Sequence, residues 1–189
     1  MSKIVSINKS WTLFLDRDGV INKKKENDYV KSWNEFAFIE GSPEAIAILS
    51  KVFGRIIVVT NQRGVGKNLM TEIDLKLIHH NMKDFIKNVS GLIDEIYYCT
   101  QISESAKCRK PNTGMALLAK NDFPEIDFTK SVVVGDSKTD IDFGKKLGFL
   151  TVFINSSKKK FNFKFDFKFN SLYDFANYIS KVKYPNLLN

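Results

Sequence analysis

Two aspartates one residue apart follow the first apolar run of this chain, and their spacing suits metal-assisted phosphoryl transfer. The stretch reads Phe-Leu-Asp-Arg-Asp-Gly-Val-Ile-Asn, with the carboxylates at Asp16 and Asp18. Carboxylates this close are costly to bury unless a cation lies between them, and Mg²⁺ would offset their charge together with that of a phosphate. One carboxylate can act as nucleophile and the other as general acid and base, while Gly19 lets the chain turn sharply beside a ligand. The alternative is an ordinary turn capped by two aspartates, because short motifs often occur by chance.

Other apolar runs of the chain also end in polar residues. Short runs rich in β-branched or aromatic residues predict buried strands at 12–15, 55–59, 92–98 and 131–134. Segments with helix caps or helical spacing separate them at 45–52, from 71 onward, at 113–120 and at 139–147. This alternation predicts an α/β fold with a doubly wound parallel sheet, in which ligands lie beyond the carboxyl ends of the strands. We therefore expect the polar strand ends to meet at one edge of the sheet.

Length and composition predict a single domain over residues 1–189. The chain has 189 residues, of which 43% are hydrophobic and 26% charged, and its formal net charge is +8. It has no apolar run long enough to cross a bilayer, and its first residues lack the apolar core of a signal peptide. We therefore expect a cytoplasmic monomer with no membrane partner. The positive charge fits either an anionic partner or a lysine-rich composition without functional meaning.

Two segments stand apart from the alternation of strands and helices. Residues 22–40 are polar and aromatic, and they form either a flap over the site or an insertion packed on the surface. Within them, Asn27, Asp28 and Tyr29 are candidates for substrate contact. The C-terminal segment 158–189 begins with phenylalanine alternating with lysine, asparagine or aspartate up to residue 170. This period predicts an edge strand with one aromatic face, followed by a helix from Ser171.

Four motifs in order resemble those of the haloacid dehalogenase superfamily of aspartyl phosphatases. They lie at residues 14–22 (the opening stretch), 58–66 (Val-Val-Thr-Asn-Gln-Arg-Gly-Val-Gly), 108–115 (Cys-Arg-Lys-Pro-Asn-Thr-Gly-Met) and 134–140 (Val-Gly-Asp-Ser-Lys-Thr-Asp). The arginine and the trailing Ile-Asn of the first motif, with the Thr-Asn-Gln of the second, resemble the branch of histidinol-phosphate and heptose 1,7-bisphosphate phosphatases. The resemblance spans about residues 11–155 and implies the haloacid dehalogenase fold without a cap domain.

The resemblance implies a magnesium-dependent phosphatase that works through an aspartyl-phosphate intermediate. Asp16 would be the nucleophile, and Asp18 would protonate the leaving oxygen and then activate water. Asp16, the backbone carbonyl of Asp18, and Asp136 would hold the magnesium ion. Asp140 either lies near the same rim, holds Lys110 in place, or carries a charge on an exposed helix face.

The second and third motifs supply the expected contacts to phosphate and substrate. Thr60, the neighbouring backbone N–H groups and Lys110 would hold the transferring phosphoryl group. Arg109 could clamp a second anionic group of the substrate, although a surface ion pair is the alternative for a lone Arg-Lys. The residues expected to border the leaving group are Asn61, Gln62 and Arg63.

The cysteines depart from the pattern of the resembled branch, which usually carries a zinc loop with Cys-x-His and Cys-x-Cys. Cys99 and Cys108 match two of the four ligands, whereas Gln101 and Ala106 stand at the other two positions. Structural zinc needs four good ligands, so we expect no zinc. Two cysteines do not make a disulfide framework, and we expect them to pack as small apolar residues.

Three functions remain open from the sequence. The favoured one is hydrolysis of a small phosphorylated metabolite, with heptose 1,7-bisphosphate ahead of histidinol phosphate. The second is a polynucleotide 3'-phosphatase, whose family carries a similar Thr-Asn-Gln-x-Gly-x-Gly loop and which would make nucleic acid a partner. The third, a non-catalytic binding protein, is disfavoured because burying so many charged groups without a function is costly. We expect no metal role for His79 and His80, since neighbouring helical residues point in different directions.

Overall fold

The framework of the protein is a six-stranded parallel sheet. The computed structural model describes residues 3–155 and 160–183. The strands in chain order are β1 (Thr12–Leu15), β2 (Arg55–Asn61), β3 (Glu95–Cys99), β4 (Ser131–Gly135), β5 (Leu150–Ile154) and β6 (Phe167–Phe169). Their order across the sheet is β3-β2-β1-β4-β5-β6, and every neighbouring pair is parallel. The strand order reverses between β1 and β4, which confirms the predicted doubly wound α/β fold.

Helices cover both faces of this sheet. They are α1 (Ser42–Val52), α2 (Arg63–Gly66), α3 (Glu72–Asn88), α4 (Gly114–Asp122), α5 (Lys138–Leu147) and α6 (Leu172–Lys183). Short 3₁₀ turns lie at Lys3–Ser6, Trp33–Glu35 and Phe128–Lys130. Across the described ranges no insertion forms a cap domain, as expected from the short connections. No helix in the same ranges is long and apolar enough to cross a membrane.

Strand β1 contributes to the core on both of its faces. Leu13 and Leu15 pack into one apolar cluster with α1 and α6, whereas Phe14 packs into another with α4 and α5. The Phe14 ring stacks on Phe149 with ring centroids 4.9 Å apart. Since side chains alternate along a strand, burial on both faces requires the continuous apolar run that the sequence shows. The strand is thereby fixed, and so is the position of the aspartate that follows it.

The structure differs from the sequence-based prediction at three elements. The predicted strand 92–98 begins only at Glu95, and strand β5 was not predicted at all. The predicted edge strand of 158–170 is reduced to β6, because residues 160–166 form no strand; residues 158 and 159 lie outside the described residues. There the phenylalanine rings cluster around Phe153 instead of pairing along a strand edge. Alternation alone therefore marked an aromatic face without marking the backbone conformation.

Segment 22–40 folds back beside the first motif. Its ends meet in a bridge between Asn22 and Phe38, and the Trp33 and Phe36 rings stack at 4.9 Å. Phe38 also contacts Phe85 of α3, with ring centroids 4.7 Å apart. The segment is therefore packed on the protein by its aromatic residues, while its polar first half lies beside the strand ends.

Candidate active site

Asp16 lies at the carboxyl end of β1, in the middle of the sheet edge. Its Oδ1 accepts a hydrogen bond from the backbone N–H of Arg17 at 2.8 Å and lies 2.9 Å from the ammonium of Lys110. Burial, with the negative charge of Asp140, raises the pKa of Asp16 to about 7, although Lys110 opposes the shift. A further cation at this place would favour the ionised carboxylate that a nucleophile requires.

Lys110 is a buried cation between two aspartates. Its side chain is 2% exposed, and its ammonium lies 2.6 Å from Asp140 as well as 2.9 Å from Asp16. It also donates a hydrogen bond to the Val59 carbonyl of β2 at 2.7 Å. Burial alone would lower the pKa of Lys110, but the charges of Asp140 and Asp16 raise it above its ordinary value. The alternative of an exposed helix charge at Asp140 is thus wrong, because this carboxylate holds Lys110.

Asp136 reaches the same place from the loop after β4. One oxygen each of Asp16, Asp136 and Asp140 lies within 4.8 Å of the others. Gly19, at φ +93°, passes so close that a Cβ there would lie 2.2 Å from Asp136 Oδ2. Burial raises the pKa of Asp136, with Asp140 adding to the shift and Lys24 opposing it. Lys24 of segment 22–40 lies 3.1 Å from Asp136 Oδ2.

Magnesium fits this group of carboxylates. Asp136 Oδ1 is buried and has no hydrogen-bond partner among the described residues, which leaves a ligand atom available. Oxygen ligands and several carboxylates are what Mg²⁺ prefers. Both oxygens of Asp140 are engaged, Oδ1 by Lys110 and Oδ2 by the N–H and hydroxyl of Ser137, whereas Asp16 contacts Lys110 through Oδ1 alone. Asp16 and Asp136 are therefore the side chains available as ligands.

Asp18 is not part of the carboxylate cluster; it lines a separate cavity and is held by three side chains. It accepts hydrogen bonds from Asn22 at 2.9 Å, Gln62 at 2.8 Å and the guanidinium of Arg17 at 3.0 Å. Burial works to raise the pKa of Asp18, but the charge of Arg17 and these hydrogen bonds outweigh it and lower the pKa. The free protein therefore carries Asp18 as a carboxylate in a fixed orientation.

Arg17 is itself buried against a histidine of α3. Arg17 is 0% exposed, and its Nη1 lies 3.1 Å from Nε2 of His79. Burial, with the charge of Arg17, lowers the pKa of His79 to about 3. Its neighbour His80 is exposed and pairs with Asp84 on the helix surface. The two histidines thus point in different directions, as expected, and His79 points at the first motif.

The polar side chains of the second motif mainly hold other residues of the site in place. Thr60, at the end of β2, is 1% exposed, and its hydroxyl accepts a hydrogen bond from Gln62 at 2.8 Å. The side chain of Asn61 forms two hydrogen bonds with the backbone of the third motif. It accepts from the Lys110 N–H at 3.0 Å and donates to the Lys110 carbonyl at 3.2 Å. Asn61 and Gln62 also line a cavity of about 110 Å³ beside Asp18.

Two arginines meet one carboxylate at the rim. Arg63 of α2 pairs with Glu104, and Nη2 of Arg109 lies 3.5 Å from the same carboxylate. Arg109 is 8% exposed, yet its Nε and Nη1 have no hydrogen-bond partner among the described residues. The same holds for Nε of Arg63. These donors are available to an anionic group larger than one carboxylate.

The cysteines form a disulfide bond, so the expectation of two unlinked apolar residues is wrong. Cys99 ends β3, and its Cα lies 5.4 Å from that of Cys108. The loop 100–107 between them folds back on itself, which their spacing in the sequence does not reveal. The bond fixes this loop directly before Arg109. The absence of zinc stays a prediction.

Segment 22–40 brings some of its candidates to the site. Asp28 and Tyr29 line the cavity beside Asp18, together with Lys24 and Lys25. Asn27 is exposed and does not line it.

Sequence reasoning gave no role to Arg17 or His79, and it did not place Lys24 against Asp136. The arginine between the two aspartates was the available signal for the first. His79 and Lys24 lie 62 and 112 residues from their partners, and nothing local marks such contacts.

The sequence matches the family model described as polynucleotide kinase 3 phosphatase over residues 12–180. A D-glycero-alpha-D-manno-heptose-1,7-bisphosphate 7-phosphatase of Mycobacterium tuberculosis (strain ATCC 25618 / H37Rv) is 39% identical over 133 residues, or 70% of each protein. The enzyme of the same name from Campylobacter jejuni is 36% identical over 162 residues, which cover 85% of this chain and 91% of that protein.

The fold is also similar to solved structures. The D,D-heptose 1,7-bisphosphate phosphatase of B. bronchiseptica, complexed with magnesium and phosphate, superposes with a TM-score of 0.80 at 25% identity. The match covers 90% of this chain and 98% of that one. The likeness therefore extends through the sheet and both layers of helices.

Proposed function

The chain belongs to the polynucleotide kinase 3 phosphatase family and is a phosphatase of the haloacid dehalogenase superfamily, and we propose that it hydrolyses heptose 1,7-bisphosphate. One observation carries the chemistry. A buried lysine links Asp16 to Asp140 within the carboxylate cluster, while Asp18 lies next to the cluster and lines a separate cavity. Such an arrangement separates a nucleophile from an acid and base.

In the first step, Asp16 attacks the phosphorus of the substrate. A bond forms between a carboxylate oxygen and phosphorus, and the bond from phosphorus to the sugar oxygen breaks. Asp18, once protonated, gives its proton to that leaving oxygen. Lys110 offsets the negative charge of the transferring group.

In the second step, water releases the phosphate. Asp18, now a carboxylate, takes a proton from the water as its oxygen attacks phosphorus. The bond between phosphorus and Asp16 breaks, and the free enzyme returns. The lowered pKa of Asp18 in the free protein suits this second role.

Magnesium is proposed as the cofactor. Asp16, Asp136 and the backbone carbonyl of Asp18 would hold it, with Asp140 holding Lys110. A bound magnesium ion neutralises charge on the phosphoryl oxygens. We also propose that the chain binds no zinc.

The substrate assignment is supported by the relatives and by the rim of the site. The similar proteins of M. tuberculosis and C. jejuni are named heptose bisphosphate 7-phosphatases. A bisphosphate carries a second anionic group, and Arg63 with Arg109 offers buried guanidinium donors without partners among the described residues. The second phosphate would take the place that the Glu104 carboxylate now holds.

A phosphorylated sugar is a charged metabolite that does not cross membranes unaided. For this reason we propose that the protein acts in the cytoplasm. The single six-stranded sheet supports one domain. We also propose that the protein is a monomer. Size-exclusion chromatography with light scattering would test the last point, since a dimer would double the mass.

The experiment is phosphate release from a substrate panel with magnesium, with and without EDTA. The panel holds heptose 1,7-bisphosphate, histidinol phosphate, other sugar phosphates and a 3'-phosphorylated oligonucleotide. We expect turnover that EDTA abolishes and that Asp16→Asn loses. Asp142→Asn is the matched control, because Asp142 pairs with Lys138 on the surface of α5. Turnover that survives in Asp16→Asn would contradict the proposed nucleophile.

The substrate that is hydrolysed fastest decides between the two candidate functions. A polynucleotide 3'-phosphatase is the second candidate, favoured by the description of the matching family model and by Lys24 and Lys25, which line the cavity beside Asp18. In that case the oligonucleotide would be hydrolysed fastest, and its binding would weaken steeply with salt.

A further inference from the structure

A histidine that takes no part in the proposed chemistry lies directly behind the proposed acid. His79 is 6% exposed, and its Nε2 faces Nη1 of Arg17 at 3.1 Å. The other terminal nitrogen of Arg17 lies 3.0 Å from the carboxylate of Asp18. The three side chains therefore form a continuous row from α3 to the active site.

We propose that His79 is a positioning residue, which orients Asp18 for proton transfer through Arg17. The proposal rests on the proposed role of Asp18 as acid and base. His79 touches neither substrate nor metal in this scheme, so its effect passes through the guanidinium.

The direction of the hydrogen bond follows from the chemistry of the pair. A guanidinium can only donate, so Nε2 of His79 must accept and the ring must be neutral. The low pKa of His79 agrees with this state. A neutral acceptor leaves the full positive charge of Arg17 to Asp18, whereas a carboxylate in the same place would compete for it.

The orientation of Arg17 depends on few contacts. Its Nε has no partner among the described residues, so the contacts to His79 and Asp18 set the plane of the guanidinium. The ring of Tyr98, with its centroid 5.5 Å from that of His79, packs beside the histidine. Asn22 and Gln62 hold Asp18 from other directions, which is why we expect a loss of His79 to weaken proton transfer without abolishing it.

The consequence depends on the leaving group. A sugar alkoxide needs a proton as it leaves, whereas p-nitrophenolate is stable without one. General acid catalysis contributes about 10²–10⁴-fold to a rate, and a misaligned acid should lose about tenfold of it on a sugar phosphate. The loss on p-nitrophenyl phosphate should stay within about threefold, because protonation contributes little there.

The experiment compares His79→Leu and His79→Gln on two substrates. These are p-nitrophenyl phosphate and the sugar phosphate that the panel shows to be turned over fastest. We expect His79→Leu to lower kcat/KM on the sugar phosphate about tenfold, because this ratio reports the first step, in which the leaving group departs, and not the hydrolysis step that both substrates share. His79→Gln, which keeps an acceptor, should restore most of it. His80→Leu is the matched control on the exposed side of α3.

Two results would overturn the proposal. One is an equal loss of kcat/KM on both substrates in His79→Leu, which would show a general disturbance of the site. The other is a His79→Gln variant no better than His79→Leu. Circular dichroism checks that the variants fold, and His79→Phe, with a ring but no acceptor, replaces the leucine variant if that one unfolds.

Asp18→Asn separates this inference from the function on which it rests. If Asp18→Asn also shows no dependence on the leaving group, the proposed role of Asp18 is wrong. If Asp18→Asn shows the dependence and His79→Leu does not, the role of His79 alone is wrong.

Discussion

At the scale of single residues, Lys110 balances two buried carboxylates at once. Its ammonium lies between Asp16 and Asp140, and it is almost fully buried. Removing one partner of a buried ion pair costs about 3–5 kcal/mol, because the remaining charge stays in a medium that solvates it poorly. We expect Lys110→Met to lose about that much free energy of unfolding in urea and to release no phosphate.

The control for this change is Lys107→Met, three residues earlier on the exposed loop. The double variant Lys110→Met with Asp140→Asn should recover part of the lost stability, since it removes one of the unpaired charges. A single variant as stable as the wild type would show that the carboxylates do not need the lysine.

His79 makes the stability of the protein depend on pH. Its pKa is about 3 in the folded protein, against an ordinary value near 6.5. The unfolded chain therefore takes up a proton first, so this contribution is fully present above about pH 6.5 and is lost as pH falls toward 3. We expect the free energy of unfolding to fall by up to about 1.4 kcal/mol per pH unit from this group.

Urea unfolding of wild type and His79→Gln at pH 7.5 and 5.5 measures this contribution. The difference between the two proteins isolates His79 from the carboxylates, which also titrate. His80→Gln should behave as the wild type does, and a His79→Gln protein with an unchanged pH dependence would contradict the assignment.

At the scale of structural elements, the loop after β1 comes so close to the loop after β4 that no residue with a side chain fits at position 19. A Cβ on Gly19 would fall 2.2 Å from the Asp136 carboxylate, and the residue has a left-handed φ. We expect Gly19→Ala to displace Asp136, weaken magnesium binding in calorimetry and lower kcat/KM about 100-fold.

Gly148 offers a matched control. It has φ +75°, but a Cβ at this position would meet nothing within 4 Å, and the residue caps α5 away from the site. Gly148→Ala should cost about 1–2 kcal/mol of stability while leaving magnesium affinity unchanged. Equal magnesium affinity in both variants would show that the close approach at Gly19 is not needed.

Segment 22–40 competes with magnesium through Lys24. The ammonium of Lys24 pairs with Asp136, and a metal ion must share or displace this contact. Since Lys24 is largely exposed, the pair is worth at most about 1 kcal/mol. We expect Lys24→Gln to bind magnesium up to about fivefold more tightly by calorimetry, whereas the exposed neighbour in Lys23→Gln should show no change. Weaker binding in Lys24→Gln would instead make Lys24 a supporting group.

The elements explain why part of the site could be predicted. The motif aspartates and Lys110 follow strand ends or a loop near them, and parallel strands bring such ends together. The row from His79 to Asp18 could not be predicted, because it joins α3 to the loop after β1 across 62 residues. The disulfide was missed for a similar reason, since the return of the loop 100–107 has no local signal.

At the scale of the whole molecule, the order of strands could be predicted only in outline. Alternating strands and helices indicated a doubly wound sheet, and the resemblance of four motifs fixed its type. Strand β5 is not predicted from the sequence, because Leu150–Ile154 follows α5 after a short turn and none of the four motifs lies on it. The Phe-rich segment shows the reverse error, since its strong alternation predicts a long strand where the structure has mostly none. The alternating rings pack together around Phe153 instead.

The central place of β1 determines when during synthesis the protein can first become active. β1 leaves the ribosome before the other five strands, but its two neighbours are β2 and the much later β4. Pairing between segments so distant in sequence is slow, because a long loop must close before any contact is gained. A nascent chain that ends before β4 therefore carries Asp16 without Asp136, and we expect it to release no phosphate until β4 has paired with β1.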